Sequence, residues 1–175
     1  MPKEKVPFDT LYQYIPDNSY DLLMPLILEH KVHLIITKER ETKLGDYRNA
    51  HSGKNHRITI NGSLDKYTFL ITLIHELAHL LVFENYGNKV QPHGREWKKV
   101  YAELLKNFIQ KSIFPLDIVK ALEKSISNPA ATTCAEDHLS RVLRNYSYKK
   151  TKMVEEIRQA KMGKKDQPNP MAELF

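Results

Sequence analysis

His75-Glu76-Leu77-Ala78-His79 places two imidazoles four residues apart, with a carboxylate directly after the first. On a helix, residues at that spacing lie one turn apart on the same face, so both ring nitrogens can reach one metal ion. Glu76 lies beside that face, where it can touch a metal-bound water without being a ligand, which is the pattern of a zinc-peptidase helix. The surrounding sequence supports a helix, because Leu70, Leu73, Ile74, Leu77, Leu80 and Leu81 recur every three to four residues. The competing reading is a surface helix with two solvated histidines. The apolar setting argues against it, since ionisable groups among such residues need a partner.

A catalytic zinc takes three protein ligands and keeps a fourth position for water. The extended pattern that puts Gly three and His six residues after the second histidine fails here, because those positions hold Val82 and Asn85. Three downstream candidates remain. Glu84 is five residues past His79 and turned away from the metal-facing stripe. His93 and Glu96 follow a break at Gly87-Asn88, in Gln91-Pro92-His93-Gly94-Arg95-Glu96-Trp97. Pro92 and Gly94 flank His93, so it is expected on a fixed loop that folds back onto the preceding helix. Glu96 belongs to the first turn of the next helix, where the macrodipole already favours a carboxylate. His93 is the preferred third ligand and Glu96 the alternative.

The elements that must position these groups can be read from local pattern. A helix over about Tyr20 to His30 is capped by Asn18 or Ser19. Val32 to Lys38 is rich in β-branched residues and reads as a strand. Arg57 to Asn61 alternates as a half-exposed strand, then Asn61-Gly62-Ser63 turns the chain into the motif helix, which ends at Gly87. Further helices are expected over Arg95 to Gln110, from Pro115 to about Ile126, and over Glu136 to Tyr146, with a loop over Asn128 to Thr133. The result is an α+β fold of zincin type: a short mixed or antiparallel sheet packed on the motif helix, followed by more helices. By analogy with other zincins, an extended substrate is expected to pair with an edge strand near Arg57 to Asn61.

His-Glu-Leu-Ala-His, a dozen residues, then Pro92-His93-Gly94-Arg95-Glu96-Trp97 resembles the SprT-like zinc metalloprotease domain, which includes the eukaryotic Spartan proteases. His33 to Thr37, the Gly45-Asp46-Tyr47-Arg48 patch and Arg57 to Asn61 follow the same order, so the likeness covers roughly residues 10 to 125. It implies one Zn2+ per chain on His75, His79 and His93, with Glu76 as the catalytic carboxylate and a protein or peptide as substrate. Many members carry a ribbon of paired cysteines after this domain. One cysteine, Cys134, cannot build it. In the implied chemistry the metal acidifies a water, and Glu76 takes its proton and returns it to the leaving amine. Tyr47, His51 and His56 are further candidates for lining the cleft or stabilising an oxyanion.

The 175 residues, 41% of them apolar, suffice for one core. No run of 18 apolar residues marks a membrane span. Met1 to Lys5 lacks the apolar stretch of a signal peptide, and the lone cysteine fits the cytoplasm. Between Arg141 and Lys165 nine Lys or Arg stand against two Glu, a balance of +7 where the whole chain carries +6. The basic character therefore belongs to the C-terminal region, which reads as a zincin domain over 1–147 and a flexible basic tail over 148–175. A solvated tail is one meaning. The other is contact with nucleic-acid phosphates through Arg141, Arg144, Lys149, Lys150 and Lys152, a reading the resemblance favours because eukaryotic members degrade proteins crosslinked to DNA. A metallopeptidase is the main expectation, possible action on DNA-associated proteins included. The alternative is a nucleic-acid-associated binding or regulatory protein with a structural or latent zinc site.

Overall fold

The computed structural model describes residues 8–127 and 132–165. After a 3-10 turn at Phe8–Gln13 the order is α1 (Tyr20–Glu29), β1 (His33–Thr37), β2 (Gly45–Arg48), β3 (Arg57–Asn61), α2 (Lys66–Tyr86), α3 (Arg95–Gln110), α4 (Leu116–Ser127) and α5 (Thr132–Lys165). The class is α+β. The three strands form one mixed sheet in the order β1-β3-β2, with β1 parallel and β2 antiparallel to β3.

The helix that carries the motif is the centre of the molecule. Phe69, Leu70, Leu73, Ile74, Leu77, Ala78 and Leu80 of α2 are almost fully buried, against Ile58 and Ile60 of the sheet on one side and Trp97, Leu105 and Phe108 of α3 on the other. By length and mean hydropathy α2 could cross a membrane, yet 67% of its most apolar stretch is buried inside this domain. Its apolar surface is consumed by the core.

The sheet adds one strand to those expected and corrects the place of another. Gly45–Arg48 is a strand, β2, although its short and polar sequence carries no alternation signal. Arg57–Asn61 is not an edge strand, because β3 is paired on both sides and from Ile58 to Asn61 is buried on both faces. Arg40 explains how Asn61 survives there. Its guanidinium donates to Asn61 Oδ1 at 2.9 Å and to the Thr59 carbonyl at 3.2 Å, and Asn61 Nδ2 donates to the carbonyls of Arg40 and Lys43. The edge next to α2 belongs to β2.

The last helix is longer than its sequence pattern indicates. α5 covers the expected Glu136 to Tyr146 and continues to Lys165, with Thr151 to Met162 exposed all round. The expected loop over Asn128 to Thr133 falls largely on 128–131, outside the described residues; Thr132 and Thr133 already belong to α5. Where α5 passes the start of α2 it is latched. Asp65 caps α2 by accepting the Tyr67 and Thr68 backbone N–H groups, and it also accepts the hydroxyls of Thr68 (2.6 Å) and Ser147 (2.8 Å). Lys150 Nζ donates to the carbonyls of Ser63 and Leu64, and Tyr146 donates to Asp117. Replacing a capping carboxylate by alanine costs about 1–2 kcal/mol, and here two further donors lose their acceptor. Asp65→Ala is therefore expected to lower stability in urea denaturation by at least about 1–2 kcal/mol. An unchanged midpoint would contradict the latch.

Candidate metal centre

α2 and the loop before α3 bring three imidazoles to one point. His75 and His79 stand one turn apart on α2. His93 reaches them from the turn closed by Gly94 N–H donating to the Gln91 carbonyl at 2.9 Å. Pro92 occupies the second position of that turn and His93 the third, with a left-handed φ of 58°. That position favours glycine, so a histidine there is held in a costly conformation by its surroundings. The result is three Nε2 atoms at mutual distances of 3.2, 3.0 and 3.0 Å. A ring nitrogen either bears a proton or offers a lone pair, so three such atoms cannot satisfy one another in a ring. A shared cation can. The three form a cluster that could hold a metal ion, with ligand atoms all within 4.8 Å of one another.

The donor set fits zinc. Bond lengths of about 2.0–2.1 Å in a tetrahedron put ligand nitrogens about 3.3–3.4 Å apart, close to the observed triangle, and three nitrogens leave one position over. Burial, reinforced by the neighbouring imidazoles, holds His75 down to about 3 and His79 down to about 4, so both are neutral at physiological pH. Neutral imidazole is the form a metal requires. Glu96 lies in the first turn of α3 as expected. Glu84 faces elsewhere, 2.6 Å from His30 Nδ1 and 3.4 Å from His56 Nε2.

Trp97 is a site residue that the sequence analysis quoted at the end of the Pro92–Trp97 motif without giving it a role. Its buried indole lies 4.6, 5.3 and 4.7 Å, centroid to centroid, from His75, His79 and His93, and stacks on Tyr101 at 4.7 Å. It forms a rigid apolar wall touching all three rings. Its position four residues after His93, one turn into α3, was the available signal.

Glu76 is buried beneath β2. The Tyr47 backbone N–H donates to its carboxylate. Gly45 is what permits this approach: a Cβ there would come within 2.8 Å of Glu76 Oε1 and 2.7 Å of Thr72 Cγ2. Burial, then the charge of Asp46, pushes the Glu76 carboxyl up to about 7, although Lys43, Arg40 and the Tyr47 N–H pull the other way. Burial would raise Asp46 as well, but Lys43 at 2.7 Å and Arg48 at 3.3 Å win and keep it ionised.

Tyr47 and His56 are brought to each other, not aligned with the triad. The Tyr47 hydroxyl lies 2.9 Å from His56 Nδ1, which also accepts the Ala50 N–H at 3.2 Å. Nδ1 is therefore the acceptor and Nε2 carries the proton, facing Glu84. Burial and the Glu84 charge push the Tyr47 phenol up, so it stays protonated and donates. His56 thus anchors the strand whose backbone holds Glu76. His51 lies in an exposed turn bridged to Lys54, at a cavity that includes none of the triad. Of the basic candidates, Lys150 is occupied by the Ser63 and Leu64 carbonyls, Lys149 lies over the Tyr146 ring, and Lys152 is near Glu156. Arg141 and Arg144 are exposed on α5. The side chain of Cys134 lies outside the described residues.

An α+β domain whose central helix and following turn converge three histidines beside a buried glutamate defines a metal-associated class of protein. Within that class, the SprT-like family model matches residues 18–117, more than half of the chain, and the chain belongs to this family. It is 38% identical over 88 residues to Protein SprT of Proteus mirabilis (strain HI4320), covering 48% of this chain and 50% of that one. Over 31 residues it is 61% identical to Protein SprT of Glaesserella parasuis serovar 5 (strain SH0165), covering 18% and 19%. Over 39 residues it is 49% identical to Protein SprT of Salmonella newport (strain SL254), covering 22% and 23%. The chain thus spans half or less of the length of these curated relatives. No solved structure matches it.

The raised Glu76 carboxyl has a consequence for stability in the metal-free state. Its folded value of about 7 lies above the ordinary 4.5, so between those values the folded chain binds more protons than the unfolded one. Stability is therefore lost as pH rises through that window, and the penalty persists above it. Glu76→Gln removes it. In chelator the variant is expected to be more stable than wild type at pH 8 by on the order of 2–3 kcal/mol, and equal to it near pH 4. Titration of His75 and His79 is common to both proteins and cancels in the difference. Equal stabilities at pH 8 would contradict the burial cost assigned to Glu76.

Proposed function

We propose that this chain is a zinc-dependent metallopeptidase. The observation that supports it most is the triangle of Nε2 atoms, 3.0–3.2 Å on a side, beside a buried glutamate one residue from the first ligand. His75, His79 and His93 would hold one zinc ion per chain through Nε2. When bound, the ion would acidify a water and polarise a peptide carbonyl. Glu76 would take the proton from that water and carry it to the departing amine. Burial places this carboxylate where few waters compete for it, and the Tyr47 N–H would keep it oriented while it carries the proton. An extended substrate would add a strand at the edge formed by β2, which runs over Glu76. Site polarity supports this as well: three nitrogens and no thiolate leave a position for water, where a structural site would be closed by a fourth protein ligand.

The reading extends, as part of the same proposal, to a cytoplasmic enzyme acting on DNA-associated proteins. The lone cysteine is compatible with a reducing compartment. The exposed stretch of α5 presents Lys152, Arg158 and Lys161 to a phosphate backbone. A binding or regulatory protein with a latent site is the second reading, and it shares the ligand set but not the hydrolysis.

Glu76→Gln separates the two. The zinc-loaded variant is expected to keep its metal and to lose cleavage of an unfolded protein substrate by about 10²–10⁴-fold, measured by peptide release. A variant as active as wild type would sink the assignment of Glu76. A wild-type protein that holds zinc and cleaves nothing would favour the latent reading.

A further inference from the structure

A cavity of about 740 Å³ opens at the end of the sheet where β1 and β3 begin and β2 ends, and no residue of the histidine triad lines it. Its floor follows from strand register. His33 pairs with Arg57, and Arg57 with Arg48, so the three stand in one row across β1, β3 and β2. Paired residues share a face, and neighbours along a strand alternate. Gly45 and Tyr47 face α2, so Arg48 and its row face away from it. Lys31 and Lys54 add two more cations to the lining, and among the described residues no Asp or Glu lines the cavity. Asp46 bonds Arg48 Nε at 3.3 Å from outside the lining set.

Two side-chain nitrogens of this row lack partners. Arg57 Nε and His33 Nε2 are buried with no hydrogen bond among the described residues. These two atoms have almost no accessible surface, so a ligand in the cavity would meet the cationic side chains of Lys31, Arg48, Lys54 and Arg57 instead. An acceptor that serves several of those cations at once is anionic and carries several oxygens, as a phosphate does. Apolar side chains line the same cavity, among them Phe8, 41% exposed, and Leu28, 60% exposed. Asn49 and Asn55 supply amides of the kind that read base edges. The volume suits a small organic ligand.

We propose that this cavity binds a nucleotide, free or within a single strand, with its phosphate on the His33–Arg57–Arg48 row and its base against Phe8 and Leu28. The site requires neither zinc nor hydrolysis, so it stands or falls separately from the peptidase reading.

The test is isothermal titration of the full chain, in chelator and at low salt. The ligands are inorganic phosphate, a nucleoside 5′-monophosphate, the unphosphorylated nucleoside and a short single-stranded oligonucleotide. The monophosphate is expected to bind at least tenfold more tightly than phosphate or nucleoside, and more weakly as salt rises. The double variant Lys31→Glu/Lys54→Glu is expected to weaken it at least tenfold, as is Arg57→Gln. Arg57 lies in the central strand and its replacement can disturb folding, so the exposed double variant decides. Tighter binding of the strand than of the monophosphate identifies the strand as the ligand's source, and equal binding identifies the free nucleotide. Binding unchanged in the double variant, lost instead in Lys152→Ala/Lys161→Ala, or no tighter for nucleotide than for phosphate, overturns the proposal.

Discussion

Three imidazole nitrogens within 3.0–3.2 Å of one another form the constraint on which the rest of this structure depends. Such an arrangement is unfavourable in the absence of a shared cation, and the scaffold around it is correspondingly stiff. Two of the rings stand on the most buried helix of the domain, where Leu73, Ile74, Leu77 and Leu80 lock the backbone between sheet and α3. The third is held in a left-handed turn that only neighbouring structure can enforce. Trp97 packs against all three rings and shares its other contacts with Tyr101, which couples the ligand turn to the helix that follows it.

The sheet serves this site mainly through one strand. β2 crosses α2 at Glu76, and the crossing is close enough that only glycine fits at position 45. The same strand supplies the N–H that holds the carboxylate, and its Tyr47 side chain is tied through His56 to Glu84, two turns further along α2. The strand is thus fastened to the helix at both ends of the contact, which fixes the burial of Glu76 and hence its raised proton affinity. Behind β2, the outward row of Arg48, Arg57 and His33 gives the opposite face a separate electrostatic character.

Much of this was legible in the chain. The apolar period of α2 and the stop at Gly87 place the first two histidines, and Pro92 with Gly94 correctly marks a turn at the third. What was not legible depends on tertiary partners. Arg57-Ile58-Thr59-Ile60-Asn61 alternates as an edge strand would, yet Arg40 satisfies the Asn61 side chain and the Thr59 backbone carbonyl and helps the strand to occupy the centre. Gly45 to Arg48 is too short and polar to read as a strand, because its value lies in close approach and backbone donors, not in apolar burial. The length of α5 was hidden for a related reason: its charged residues read as a tail, while the latch of Ser147 and Lys150 onto the start of α2 joins groups more than 80 residues apart.

Metal content is the most direct test of the central claim. Elemental analysis of the purified chain after zinc loading and removal of the excess should find one zinc ion per chain in wild type and close to none in His93→Ala. Undiminished zinc in His93→Ala, or no zinc in wild type, would contradict a centre built from these three histidines.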